Sequence, residues 1–181
     1  MGRAKALLQL PASGRTFVAQ IADTLTRGGV DAAFVVGRPD DQALRSEVEK
    51  LAPLVRYVEN PRHASGQLSS VLAALDVVDQ PAARGLLIVP VDMPLIRATT
   101  IATLLEAFNT SSHSIARVTY RGRHGHPVIF GRAAFEMLRV ADPAQGARAV
   151  VRALPVHDVE VDDDGVVRDI DTPADYGELL P

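Results

Sequence analysis

Apolar positions along this chain alternate between two spacings. Phe17, Ile21 and Leu25 recur every four residues, as one face of a helix does, and Gly28–Gly29 marks where that helix stops. The run AFVVG, through Val35 and Val36, reads as a buried strand. Leu44, Val48 and Leu51 predict a second amphipathic helix, with Asp40 and Asp41 as candidate caps. VRYVEN, ending at Asn60, predicts the next strand, and Leu68, Val71, Leu72, Leu75 and Val78 the next helical stripe. LLIVPVD, from Leu86 to Asp92, is a continuous apolar run ending in a carboxylate. Ile101, Leu104, Leu105 and Phe108 predict a further helix, and Ile115 to Tyr120 a further strand.

Strands alternating with helices predict an α/β fold, a mostly parallel sheet covered by helices on both faces. One departure stands at the start. Such a domain usually opens with a strand, whereas this chain opens with charged residues leading into Ala6–Leu7–Leu8, so its first strand is expected to be absent. No internal repeat or linker divides the 181 residues, which predicts a single domain.

Composition narrows the function classes. A hydrophobic fraction of 47% and a charged fraction of 23% are ordinary for a globular protein. The net charge of −3, with both signs interspersed, argues against a nucleic-acid partner. No apolar run approaches the roughly eighteen residues of a membrane span. The absence of cysteine excludes thiolate metal sites and fits a cytoplasmic location. Any metal would therefore be held by oxygen or imidazole.

Ligands of open α/β sheets bind beyond the carboxyl ends of the strands, and three polar segments are predicted there. Asp92 follows the most apolar run; a carboxylate in that place can hold Mg²⁺ or cap the helix that follows. In Asp171–Thr172–Pro173 with Asp175, the last three residues have the makings of a helix start, with Thr172 as the cap. Asp171 lies before that cap, free to reach a metal. Gly66–Gln67–Leu68–Ser69–Ser70 opens a helix whose free N–H groups suit an anionic or polar ligand. His124 and His126, read as part of a loop, lack a third metal ligand, and His126 is better suited to an anionic substrate. Arg3 and Lys5 beside Gly2 form a short basic opening.

Taken together, six ordered blocks resemble the MobA-like NTP transferases, most closely the molybdenum cofactor cytidylyltransferases. Met1–Gly2–Arg3–Ala4–Lys5–Ala6–Leu7–Leu8 is similar to the second half of the signature loop LAAGxSxRMGxxKxLL. NPRHASGQLSS, from Asn60 to Ser70, resembles the nucleotide-contacting segment, and VDMPL, from Val91 to Leu95, the metal-binding strand end. Gly125 to Phe130 resembles a GHPVxF block, Gly146–Ala147–Arg148 a GAR block, and Asp169 to Asp175 a DIDTPxD block. The LAAGxSxR half of the loop has no counterpart, and ADPAQGAR replaces the usual GDxGAR.

The resemblance implies a three-layer, Rossmann-like nucleotidyltransferase that moves CMP from CTP to the phosphate of a molybdenum-bound pterin and releases pyrophosphate. It implies Mg²⁺ on Asp92 and Asp171, and β- and γ-phosphates met by Lys5 and Arg3. Gly2, Asn60, Gly66, Gln67 and Ser69 would line the nucleotide, and His126 and Arg148 the pterin phosphate. Two alternatives stay open: a guanylyl- or sugar-phosphate nucleotidyltransferase, or a non-catalytic module binding molybdenum cofactor for a molybdenum hydroxylase or its chaperone. Because the family's opening strand is central in its sheet, the natural protein is expected to begin upstream of Met1.

Overall fold

A computed structural model describes residues 5–180. Gly2 and Arg3, both expected at the nucleotide, lie outside the described residues. After a short turn at Lys5–Leu7 come α1 (Phe17–Arg27), β1 (Ala33–Gly37), α2 (Gln42–Glu49), β2 (Val55–Glu59), α3 (Gln67–Val78), β3 (Gly85–Ile88) and α4 (Ala98–Thr110). β4 (Ile115–Tyr120), β5 (Arg123–Gly131), α5 (Phe135–Arg139), α6 (Ala147–Ala153), β6 (Val156–Glu160) and α7 (Pro173–Gly177) complete the order.

The helix starts follow from local chemistry. Thr16 caps α1 by accepting from the Ala19 N–H, and the Asp41 carboxylate caps α2 by accepting from Leu44. Thr172 and Asp175 cap α7 reciprocally, with Pro173 in the first turn, as the sequence predicts. Gly66 stands before α3 at φ 86°, a conformation that costs glycine least.

β1 and β2 pair in parallel, and a separate sheet has the order β3-β5-β4-β6. β3, β4 and β6 run together while β5 runs against them. Helix α3 returns the chain from β2 to β3, so these two strands also share a direction. The sheet is thus mostly parallel, as expected, with β5 the exception among the described strands.

Two expectations change in detail. The apolar run Leu86–Asp92 is not all strand: pairing ends at Ile88, and Pro90, which has no N–H to donate, begins a turn in which Met93 N–H reaches the Pro90 carbonyl at 3.2 Å. Asp92 sits in that turn. His124 and His126, read as loop residues, belong to β5.

Two main cores lie on the two faces of the larger sheet. One gathers Leu68, Leu75, Leu86, Phe130, Phe135 and Leu138; the other gathers Ile101, Leu104, Ala116, Val118, Ile129 and Val166. A third packs α1 and α2 on β1 and β2. No strand precedes α1 among the described residues. The two sheets face each other across a cavity of about 1140 Å³ bordered by β1 and β3. No helix of the described residues is long and apolar enough to cross a membrane.

Candidate functional site

Three of the residues singled out from sequence converge beyond the carboxyl end of β3. The Lys5 ammonium donates to the Asp171 carboxylate and lies 3.7 Å from Oδ2 of Asp92. Asp92 is about a quarter exposed and Asp171 about half, so the cluster faces solvent while resting on structured backbone. The hydrogen bond to Asp171 raises the pKa of Lys5, and the same contact lowers that of Asp171. At neutral pH one cation therefore sits between two carboxylates.

Backbone contacts put the cluster there. Ile170 is fully buried against Leu10 and Phe17, and its N–H donates to the Asp92 carbonyl at 2.8 Å. That bond lays residues 170–171 alongside the Asp92 turn. The Asp175 carboxylate accepts from the N–H groups of Asp171 (3.0 Å) and Thr172 (2.7 Å), fixing the backbone that carries the Asp171 side chain. These bonds to N–H groups, Thr172 first, lower the pKa of Asp175. The Tyr176 hydroxyl donates to the Gln9 carbonyl at 2.5 Å and its ring lies 6.3 Å from that of Phe17. Helix α7 thereby clasps the segment that carries Lys5.

The Asn60–Ser70 segment divides into bracing and presenting residues. Asn60 is 1% exposed: its amide donates to Ser69 Oγ (2.8 Å) and Ser70 Oγ (3.1 Å), and its carbonyl oxygen accepts from Arg62 N–H (2.9 Å). Ser69 is buried and donates to the Gly66 carbonyl at 2.7 Å. Asn60 and Ser69, expected at the nucleotide, have their polar atoms committed to hydrogen bonds inside the chain. They shape the turn that presents Gly66 and Gln67, both exposed at the start of α3.

His126 is half-buried on β5, and its Nδ1 is buried without a hydrogen-bond partner. Burial pushes its pKa below the ordinary value, against the smaller opposing pulls of the Ile88 backbone and the Asp92 charge. A neutral ring carries no positive charge. Arg148, exposed in the first turn of α6, places a positive charge that acts on the His126 ring.

Asp163 is a structural residue that sequence inspection passes over. It is 2% exposed, accepting from Thr100 Oγ (2.6 Å), Arg97 N–H (2.9 Å) and Gly165 N–H (3.1 Å). Within the run Asp162–Asp163–Asp164 it looks like solvated surface. Its bonds join the loop after β6 to the start of α4, just beyond the Asp92 turn. Tyr176 escapes notice for another reason: its partner is a backbone carbonyl, which has no sequence signature.

Among the described residues no group of three or more His, Asp or Glu side chains could hold a metal by itself. Two carboxylates converging on a lysine ammonium nevertheless fit a hard cation that takes few protein ligands and completes its shell from phosphate oxygens and water. The ammonium already occupies a cation's position between them.

Fold and cluster together define an α/β domain with a charged cluster at the carboxyl edge of its sheet. Residues 1–159 match the MobA-like NTP transferase domain, and the chain belongs to that family of nucleotidyltransferases. It is 33% identical over 127 residues to the bifunctional protein GlmU of Rhodopseudomonas palustris (strain BisB5), an alignment covering 70% of this chain and 27% of that one. The chain thus spans about a quarter of that curated relative. Among solved structures it is similar to Rv0371c of Mycobacterium tuberculosis H37Rv, with a TM-score of 0.81 and 25% identity, covering 99% of this chain and 90% of that one. A second structure of Rv0371c, in complex with manganese, superposes with a TM-score of 0.76 at 25% identity, over 99% and 92% of the two chains. The fold is also that of molybdopterin-guanine dinucleotide biosynthesis protein A of Archaeoglobus fulgidus (TM-score 0.69, 16% identity, covering 98% and 89%).

Proposed function

We propose that this chain transfers CMP from CTP to the terminal phosphate of a molybdenum-bound pterin, releasing pyrophosphate, with Mg²⁺ held by Asp92 and Asp171. The observation that carries the reading is the Lys5–Asp92–Asp171 cluster at the carboxyl edge of the sheet. The manganese complex of Rv0371c supports a divalent cation. The GHPV, GAR and DIDTP blocks support the acceptor and the base.

An acceptor phosphate oxygen attacks the α-phosphorus of the nucleotide, the bond from that phosphorus to the β-bridging oxygen breaks, and the electron pair leaves with pyrophosphate. The acceptor phosphate is largely ionised near pH 7, so no general base is needed. A bound Mg²⁺ supplies charge neutralisation across the triphosphate. With a cation held by Asp92 and Asp171, the Lys5 ammonium would be released to meet the β- and γ-phosphates. Gly66 and Gln67 offer backbone N–H groups to the nucleoside, and Arg148 offers charge to the acceptor, with the His126 ring beside it. Such chemistry depends on positioning and electrostatics more than on a covalent partner.

The test is pyrophosphate release from CTP, GTP, ATP and UTP, each with molybdenum cofactor or with a sugar phosphate as acceptor. The reading expects release from CTP with molybdenum cofactor. Release with the sugar phosphate alone overturns the acceptor, and no release with any pair overturns the catalytic reading.

A further inference from the structure

The segments that carry Asp92 and Asp171 run alongside each other in opposite directions. The Asp163 carboxylate accepts from the Arg97 N–H at 2.9 Å. Further along, Gly165 lies so close to Leu95 that a Cβ on it would stand 2.7 Å from the Leu95 carbonyl carbon and oxygen. Beyond that, the Ile170 N–H donates to the Asp92 carbonyl at 2.8 Å. Contacts thus step down from Arg97 through Leu95 to Asp92 as the other segment steps up from Asp163 through Gly165 to Ile170. Asp92 and Asp171 stand together at one end of this register, and Asp163 closes the other.

The closed end is built as a clamp. Oδ2 of Asp163 accepts from the Arg97 N–H and, at 2.6 Å, from the Thr100 hydroxyl, while Oδ1 accepts from the Gly165 N–H at 3.1 Å. Each segment is therefore held by its own oxygen. A carboxylate only 2% exposed is costly to bury unless it is paired and hydrogen-bonded, and the Arg97 guanidinium 3.7 Å from Oδ1 supplies the charge. The segment after Asp163 is also wedged from behind. Val166 is fully buried, and its carbonyl fills the space that a Cβ on Gly125 of β5 would need. Nothing here is on loan from a flexible surface chain: buried backbone packs on buried backbone.

We propose that Asp163 is a positioning residue for nucleotidyl transfer. By clamping residues 163–170 to residues 92–97 it fixes the separation of the Asp92 and Asp171 carboxylates, acting through the backbone and not at the metal. An octahedral Mg²⁺ takes its oxygens at about 2.0–2.1 Å and tolerates little departure from that geometry. A slip in the register therefore reaches the metal even though the clamp lies at the far end. The consequence for transfer rests on the metal-holding role proposed for the two carboxylates; the register itself does not.

The experiment compares the full chain with Asp163→Asn, Gly165→Ala and, as a control, Leu138→Ala. An amide at position 163 keeps one acceptor oxygen and turns N–H groups toward donors, so one of the two segments is released. A methyl at position 165 pushes the segments apart and leaves the carboxylate in place, so either variant serves if the other fails to fold. Leu138→Ala opens a void in the other core and lowers stability without touching the register. Amide exchange at Ile170 is read by NMR, Mn²⁺ binding to the nucleotide-free chain by electron paramagnetic resonance, and kcat by pyrophosphate release from CTP. Both register variants should speed exchange at Ile170 at least about tenfold. They should also weaken Mn²⁺ binding about tenfold and lower kcat about 10- to 100-fold at saturating metal and nucleotide. Leu138→Ala should do none of these. An Ile170 amide as protected as in the parent chain overturns the positioning role. Equal effects in Leu138→Ala overturn it too, since lost stability alone would explain them. Faster exchange with unchanged Mn²⁺ affinity and kcat breaks the link from clamp to chemistry. A parent chain that neither binds Mn²⁺ nor releases pyrophosphate refutes instead the proposed function, and the Ile170 amide then decides the clamp by itself.

Discussion

The N–H of Ile170 donates to the carbonyl of Asp92 across 2.8 Å, joining a buried residue near the end of the chain to the turn after β3. Because Ile170 is anchored among Leu10 and Phe17, that bond sets where the next residue, Asp171, can reach. The two carboxylates then share one ammonium, and the site's charge balance follows from this backbone contact.

Asp92→Asn is expected to lower nucleotidyl transfer about 100-fold, the scale of losing one electrostatic element of a site built on charge. The fold should survive, since the Asp92 backbone carbonyl, not its side chain, accepts the Ile170 bond. Initial rates of pyrophosphate release together with a thermal melt check this. Wild-type turnover in the variant removes Asp92 from the mechanism.

Lys5→Ala separates two roles of the lysine. Without the ammonium the carboxylates lose their resident cation, so Mn²⁺ should bind the nucleotide-free variant more tightly than the parent chain. The Michaelis constant for the nucleotide should rise, because β- and γ-phosphate neutralisation is lost. Electron paramagnetic resonance of free Mn²⁺ reads the first and steady-state kinetics the second; a variant with weaker Mn²⁺ binding contradicts the assignment.

CTP is expected to bind more tightly than GTP. The support is the likeness of the GQLSS, GHPV and DIDTP blocks to cytidylyltransferases. Isothermal calorimetry with each nucleotide and Mg²⁺ decides, and a lower dissociation constant for GTP reverses the preference.

Asp163→Ala is expected to destabilise the fold by about 3 kcal/mol. The substitution leaves the buried Thr100 hydroxyl and two backbone N–H groups without their acceptor, at about 1–3 kcal/mol for each group that water does not reach. Urea unfolding checks the figure, and a change under about 0.5 kcal/mol, the scale of ordinary surface substitutions, would show that water replaces the carboxylate.

The buried ring of His126 gives stability a pH dependence. Its folded pKa lies below the unfolded value of about 6.5, so the folded state binds fewer protons through that interval. Its contribution is complete above about pH 6.5 and is lost as pH falls through the lowered folded pKa. In His126→Gln that part of the acid destabilisation should disappear, measured as denaturation midpoints between pH 7 and 5. An unchanged slope contradicts a neutral, buried ring.

Much of the fold could be read from the sequence because helix faces and caps are local. Phe17, Ile21 and Leu25 mark α1, and Thr172, Pro173 and Asp175 mark the start of α7 through atoms a few residues apart. The apolar run from Leu86 outlasts the strand, which ends at Ile88, since hydrophobicity does not report pairing and Pro90 lies within the run. The direction of β5 depends on partners far along the chain. At the site, Lys5, Asp92 and Asp171 were legible through motifs, whereas Asn60 and Ser69 show that a polar residue in a motif can face inward as a brace. Tyr176 and Asp163 act through backbone groups and burial, which residue type alone does not disclose.

Lys5 and Asp171 stand 166 residues apart in the chain. On a ribosome adding about 5–20 residues each second, Asp171 is made long after α1, β1 and β2 have left the tunnel mouth. Until then Lys5 lacks the carboxylate it donates a hydrogen bond to, and the Asp92 turn lacks the Ile170 N–H. The Lys5–Asp92–Asp171 cluster is therefore among the last features to form during synthesis, and a chain ending before Ile170 lacks the completed cluster.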